Sequence, residues 1–440
     1  MSTAQDRGAS SPQLMRRANR QALLQHALRA QHFTAADAMA ATGLTRATVL
    51  GVCAELEESG WLHEVPAGRE GAVQRGRPAR HFALQADAAV LIAVDAGQHT
   101  LTARAADLRG RELAGARSTT DGTLDGVDLD AGAATAEERL EAVITLIDQV
   151  LEQAAARERP RLLTVVGVPA PVGPDGHSPS GDKGYWPAMN PGFVDALEGE
   201  VLVENDANLA ALAERAHAAA GAGAGGAVTQ SAGHLAAGSD HLATLLMGER
   251  FGTGLIVDGH LLRGAQGGAG EMRFLDAMLG DSRGADGVAA LARRWTLEAL
   301  AARESSSPLE SLPAHALSAE DVFSAARAGD PLAQRVLERI GERLARIAAI
   351  LSSLLGVEAV VVAGAIAEAI EPVLSHARTV LPKILTPPVP QLRASALGRE
   401  VVVRGALELA LARLREDPLG LLAPETGTDP YPPTEGNRTS

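Results

Sequence analysis

A chain of 440 residues, 46% of them apolar and 21% charged, has the make-up of a globular protein of two or three domains with a sizeable core. It holds no run of about 18 apolar residues to span a bilayer, and its start, MSTAQDRGASSPQLMRRANR, lacks the apolar stretch of a secretory leader. The expected location is therefore cytoplasmic, with no membrane partner. The single cysteine, Cys53, excludes an internal disulfide and every metal site built on two or more thiolates. Neither a metal nor a cofactor is expected.

Forty basic residues stand against 54 acidic ones, a net charge of -14, which disfavours a polyanionic partner on average. The average conceals an asymmetry. Residues 1–80 carry ten arginines and seven acidic groups, a surplus of +3, so the remainder carries -17. A small module that meets something anionic, joined to a larger acidic body that does not, fits this distribution.

After an expected disordered tail over 1–13, residues 14–86 read as a winged helix-turn-helix. A first helix runs from Leu14 to about Arg29. Thr34 then caps a second, AADAMAAT, with Asp37 three residues on as in a capping box. Gly43 ends it, and Thr45 opens a third helix, TRATVLGVCAELEESG, that stops at Gly60. Val49, Val52, Cys53 and Leu56 recur at helical spacing and define its buried face, which leaves Thr45, Arg46 and Thr48 outward near its start. Cys53 reads as a small buried hydrophobe. WLHEV and ARHFAL read as two strands flanking PAGREGAVQRGRP, a wing in which Arg69, Arg75, Arg77 and Arg80 can clamp phosphates or enter a narrow minor groove. Thr45, Arg46, Thr48 and these four arginines are the expected contacts to double-stranded operator DNA. Ala47, Leu50, Gly51 and Ala54 further along the third helix make no bidentate base contact, so direct base readout is sparse.

The body, 87–415, reads as α/β. VLIAVDAGQHTLTARAADLRGREL implies three antiparallel strands with a turn at Arg109-Gly110. A helix, AEERLEAVITLIDQVLEQAA, precedes the strand LLTVVGVPAPVG, and EVLVENDANLAAL is a strand running into a helix. LATLLMG, GTGLIVDG, LLRG, a helical stretch to about Leu355, the strand VEAVVVAGA and a helix near 401–415 repeat that grammar, which implies a duplicated lobe. Residues 218–240 read as a flexible insertion and 416–440 as a disordered tail. Asn205 and Asp206, at a strand end before a helix, sit where α/β sheets present ligand residues. They suit recognition of hydroxyl groups, and a carboxylate there is also placed to act as a base; the alternative is that the pair only caps the helix.

Four stretches together resemble the ROK family, whose members include repressors and sugar kinases: Val94-Asp95-Ala96-Gly97 with Asp107-Leu108-Arg109-Gly110; Gly167-Val-Pro-Ala-Pro-Val172; Glu204-Asn205-Asp206-Ala207-Asn208; and Asp258-Gly259 through Arg263-Gly264-Ala265 to Gly270-Glu271. The resemblance spans nearly the whole chain. It implies a two-lobed actin-like ATPase fold, of the ribonuclease H-like sugar-kinase kind, behind the winged helix. It further implies that Asn205, Asp206 and Glu271 contact a sugar, with Asp206 at the position of the kinase base, and that the arrangement is that of the repressor branch.

Departures from the family pattern point away from catalysis. Phosphate binding in this fold uses glycine turns that let backbone N–H groups approach the oxygens. Here Gln98 replaces the second glycine of the first turn, Glu249 and Arg250 interrupt Gly248-Glu249-Arg250-Phe251-Gly252, and Ala365 follows Gly364 where two glycines are usual. Glu249 is expected to repel phosphate and Arg250 to fill its space, so ATP binding is expected to be lost or weak and the protein not to be an enzyme. Phe274 stands where zinc-binding members have a histidine and no cysteine follows; it either stacks on a sugar face or lies in the core.

The leading reading is a repressor with a sugar or sugar-phosphate effector between the lobes, acting as a homodimer or homotetramer on a two-fold operator. A sugar kinase carrying its own DNA-binding domain, and a constitutive DNA-binding protein whose body only dimerises, are the alternatives.

Overall fold

The structure, a computed structural model, describes residues 12–66, 79–119, 132–181, 184–223, 240–272, 286–303 and 306–422. Two compact units emerge: one from the residues up to Val90, with 107–109 and those from Leu411 on, the other from Leu91–Ala106 and Gly110–Ala410.

In the first unit, α1 (Pro12–Arg29), α2 (Ala35–Thr42) and α3 (Arg46–Glu58) pack with a three-stranded sheet of order β1-β3-β2, formed by Phe33–Thr34, His81–Leu84 and Leu62–Val65 respectively. The expected capping box is present: the Thr34 hydroxyl accepts from the Asp37 amide while the Asp37 carboxylate accepts from the Thr34 amide at 2.8 Å. Gly43, at φ +72°, takes the left-handed conformation that closes α2. The predicted stripe of Val49, Val52, Cys53 and Leu56 is buried, and with Leu23, Leu24, Phe33 and Phe82 it makes the core. Strand β1 was not anticipated; its two residues pair with Phe82 and His81.

Residues 416–422 are helical where a disordered tail over 416–440 is expected, and 423–440 lie outside the described residues. Helix continues to Glu416, and Pro418–Leu422 forms another short helix with Leu419, Leu421 and Leu422 buried. Gln21 and Gln25 donate to the Glu416 carbonyl at 2.9 and 3.1 Å. The apolar run Pro-Leu-Gly-Leu-Leu is covered by α1, and burial of that surface outweighs the chain entropy lost on ordering it. Arg109 belongs to this unit too, donating to the Ala30 carbonyl at 2.9 Å just past the end of α1.

The second unit holds two five-stranded sheets. Strands β4 (Val90–Ala96), β5 (Thr100–Ala106) and β6 (Glu112–Thr119) are followed by α4 (Gly132–Gln153), β7 (Arg161–Val168), the short helices α5 (Tyr185–Met189) and α6 (Phe193–Ala196), β8 (Val201–Asn205) and α7 (Asp206–Gly223). Then come β9 (Leu242–Met247), β10 (Phe251–Val257), β11 (His260–Leu261), α8 (Val288–Ala301), α9 (Ala319–Arg327), α10 (Pro331–Leu355), β12 (Ala359–Ala363), α11 (Glu371–Ile384), β13 (Gln391–Ala394) and α12 (Val401–Glu416). The sheet orders are β6-β5-β4-β7-β8 and β11-β10-β9-β12-β13. Numbered within each lobe, both read 3-2-1-4-5: three antiparallel strands, then parallel ones. This is the expected duplication. Two details differ. LLRG contributes only Leu261 to a strand, because the chain turns away through Gly264 at φ +72°. Helix α7 extends to Gly223, into the segment expected to be flexible, and 224–239 lie outside the described residues.

Candidate ligand cleft and DNA-facing helix

The turns after β4, β9 and β12 converge with the β8–α7 junction on one cleft of about 540 Å³ within the second unit. Its walls include Asp95, Gln98, Asn205 and Asp206 from the first lobe and Leu246, Arg250, Glu271, Phe323, Gly364 and Ile366 from the second. The sequence-predicted ligand residues Asn205, Asp206 and Glu271 are thus brought together, although Glu271 is 65 positions further along the chain than Asp206. Phe274 lies outside the described residues.

Asn205 is held from both ends of its amide. Its Oδ1 accepts from the Asn208 amide at 3.1 Å, capping α7, while its Nδ2 donates to the Ala170 carbonyl at 3.1 Å. Capping and presentation to the cleft therefore coexist in one side chain. Beside it, buried Glu204 accepts from Asn208 Nδ2 at 2.9 Å and Arg263 Nε at 2.6 Å, tying the turn that leads to Glu271 onto the β8 end.

Burial, then the neighbouring Asp95 carboxylate and then Glu271 push the Asp206 carboxyl up to about 8; burial also raises Asp95, to about 7, against the pull of Arg139. Both groups open onto the cleft, and like charges in low-polarity walls favour the protonated forms. A carboxyl that keeps its proton can donate as well as accept hydrogen bonds to hydroxyls.

Arg139 on α4 was not singled out from the sequence. It is buried and donates to the carbonyls of Ala96, Gly97 and Met189, the last two at 3.1 Å, so a cation sits behind the first turn and holds it to α5. The signal in the sequence is its place in line with Val143, Leu146, Ile147 and Val150 on the apolar face of that helix.

The altered phosphate turns are engaged in the structure. Glu249 lines the cleft and forms a two-pronged ion pair with Arg293 at 2.5 and 2.6 Å. The Arg250 guanidinium lies 3.9 Å from the centre of the Tyr185 ring, and the Tyr185 hydroxyl donates to Gln98 Oε1 at 3.1 Å. The two residues that replace glycines therefore meet through Tyr185 and link the lobes across the cleft. Carboxylates outnumber guanidinium groups along the walls, with Asp95, Asp206, Glu249, Glu271, Glu320 and Glu368 against Arg117, Arg250 and Arg399. Among the described residues no three His, Cys, Asp or Glu side chains are grouped to hold a metal, and no helix is long and apolar enough to cross a membrane.

In the first unit the start of α3 presents Thr45 and Arg46 exposed, with Thr48 half-buried. The Thr45 hydroxyl accepts from the Thr48 amide and lies 2.9 Å from the Thr48 hydroxyl. Arg80, among the expected DNA contacts, is half-exposed; it donates to Glu64 at 2.8 Å and Glu57 at 3.0 Å and lies over Phe82, because its position just before β3 places it between two acids of α3 and β2. Arg69, Arg75 and Arg77 lie outside the described residues. Cys53 is buried, and burial with the nearby Glu57 pushes its thiol up to about 12.

A family model described as the ROK family matches residues 91–413. The chain belongs to the ROK family. A glucokinase of Halalkalibacterium halodurans is 29% identical over 253 residues, covering 51% of this chain and 70% of that one. The structure of a ROK family transcriptional regulator, a homolog of the Escherichia coli MLC protein, superposes with a TM-score of 0.66 at 20% identity, covering 93% of this chain and 98% of that one. A ROK family glucokinase from Streptomyces griseus, in complex with glucose and AMPPNP, covers 73% of this chain and 98% of itself, with a TM-score of 0.54 at 24% identity. The regulator therefore shares its ROK architecture with the first unit included, whereas the kinase coverage is confined to about three quarters of the chain.

Proposed function

We propose that this ROK protein is a transcriptional repressor whose winged helix binds double-stranded operator DNA and whose body senses a sugar or sugar phosphate without phosphorylating it. The observation that carries the reading is the Gln98–Tyr185–Arg250 link. It occupies the cleft at the turns where a nucleotide-binding relative needs bare glycine backbone, in a chain that also carries a helix-turn-helix that a kinase does not need. Thr45, Arg46 and Thr48 from α3 and Arg69, Arg75 and Arg77 from the wing are the proposed DNA contacts, with Asn205, Asp206, Glu271 and Phe274 the proposed effector contacts. The protein acts in the cytoplasm as a homodimer or homotetramer, which matches two half-sites of a two-fold operator. An effector shifts DNA affinity only as far as it binds the two states of the body unequally.

The test is the affinity of the full-length protein for fragments of its own promoter region, read by fluorescence anisotropy with and without sugars, beside an assay of sugar-dependent ATP turnover. Sugar-modulated binding without turnover is expected; absence of binding to every fragment at low salt overturns the reading. Asp206, with Asn205 beside it in the cleft, favours the second reading, a sugar kinase, since a carboxylate of raised pKa is suited to remove a hydroxyl proton. Measurable turnover decides for it.

A further inference from the structure

We infer that Arg263, which does not itself line the cleft, is a positioning residue for it: through its grip on Glu204 it sets how far Glu271 stands from Asn205 and Asp206, and so the affinity of the cleft for its effector. That an effector binds there rests on the sugar-sensing reading above. Glu204 is buried, and the two oxygens of its carboxylate serve different lobes. Oε1 accepts from the Asn205 amide at 3.0 Å and from Asn208 Nδ2 at 2.9 Å, both at the β8–α7 junction. Oε2 accepts from Arg263 Nε at 2.6 Å, on the loop that follows β11. One carboxylate thus fastens the strand end that presents Asn205 and Asp206 to the loop that delivers Glu271.

The rest of that loop is held by shape. Its neck closes where the Arg263 carbonyl accepts from the Ala269 amide at 3.1 Å, and Gly264, Gly267 and Gly270 turn it at φ of +72°, +70° and +86°. A side chain at Gly267 would overlap the Val172 backbone and one at Gly270 the Thr253 carbonyl, so the loop touches both lobes on its way to Glu271, eight residues after Arg263. Arg263 supplies the charged part of this anchorage. Its partner is shielded from water, where a carboxylate without a cation is costly, so the pair has one favoured arrangement and the loop is drawn to the β8 end. The Glu271 carboxylate is in turn close enough to Asp206 to help raise its carboxyl. The titration of Asp206 therefore gauges the distance that Arg263 is inferred to set.

The experiment follows the carboxyl carbon of Asp206 by NMR across pH in the full-length protein, the signal assigned through Asp206→Asn. Two effects of Arg263→Gln have opposite signs: loss of a nearby cation raises the Asp206 midpoint, whereas withdrawal of Glu271 lowers it. A fall of about 0.5 pH unit is expected, absent when Glu271→Gln is already in place, with Arg263→Lys close to the wild type. A midpoint unchanged or raised, or a fall that persists in the Glu271→Gln background, overturns the inference. If Arg263→Gln does not fold, Arg263→Gln combined with Glu204→Gln removes cation and carboxylate together and is held to the same outcomes. Calorimetry with glucose, N-acetylglucosamine and xylose as probes reads the affinity. The tightest of the three is expected to bind about tenfold more weakly to Arg263→Gln and near wild type to Arg263→Lys; equal affinity for wild type and Arg263→Gln overturns the inference and leaves the sensor reading standing. Binding of none of the three to the wild type counts against the sensor reading, and the Asp206 titration still decides whether Arg263 places Glu271.

Discussion

The guanidinium of Arg250, from the β9–β10 turn of one lobe, stacks at 3.9 Å on the ring of Tyr185, which belongs to the other. Because the Tyr185 hydroxyl also reaches Gln98, the contact converts two disrupted phosphate turns into one inter-lobe tie. Partly desolvated cation–π pairs contribute about 1–2 kcal/mol. A double-mutant cycle of Arg250→Ala and Tyr185→Leu, followed by urea unfolding, is expected to show a coupling of about 1 kcal/mol; strict additivity removes the tie as an energetic element.

The carboxylate pair sets the direction of pH dependence in the body. Asp95 and Asp206 have folded-state values raised to about 7 and about 8, whereas unfolded aspartates release their proton near pH ~4. Between these limits the folded state holds more protons than the unfolded one, so stability is greatest below pH ~4 for these two groups and falls as pH rises toward 8, by at most about 1.4 kcal/mol per unit per group. Thermal unfolding midpoints measured from pH 5 to 8 are expected to decline, and Asp206→Asn to flatten that slope.

Arg46 and Arg80 separate binding from architecture. Arg46 is exposed at the start of α3, and Arg46→Ala is expected to weaken operator binding and lower the salt-dependence slope by about one. Arg80 is spent on Glu57 and Glu64. Its replacement by Ala is expected to leave that slope unchanged and to cost less than about 1 kcal/mol of stability, as exposed pairs do. Anisotropy titrations over a salt series distinguish the two.

The capping box at the start of α2 is a local stability element. Thr34→Ala removes the acceptor for the Asp37 amide and is expected to destabilise the winged helix by about 1 kcal/mol, while Thr34→Ser retains most of it. Chemical unfolding monitored through Trp61, in the same unit, reads this out.

Cys53, with its thiol pushed up to about 12, is expected to resist iodoacetamide at pH 8 in the folded protein and to react only on unfolding, since the thiolate is the nucleophile. Rapid labelling under native conditions contradicts its burial.

What could be read from residue order was whatever depends on neighbours in the chain. Thr34 with Asp37, Gly43, Thr45 and the Val49–Leu56 stripe specify helix ends and a buried face within one or two turns, and the strand-like runs Val90–Ala96 and Thr100–Ala106, parted by a turn at Gly97, specify a hairpin, because periodicity, turns and caps act over a few residues. The repeated order of strands and helices carried the duplicated lobe, and the β8–α7 junction carried Asn205 and Asp206. The contacts that shape the cleft join residues far apart in sequence: Gln98 to Tyr185, Tyr185 to Arg250, Glu249 to Arg293, Arg139 to Gly97. No local pattern encodes which of several arginines finds which carboxylate or ring, since that choice depends on geometry and desolvation in the folded chain. The same reason paired Arg80 with two acids and ordered the helix Pro418–Leu422, whose leucines look like an unstructured tail until α1 lies against them.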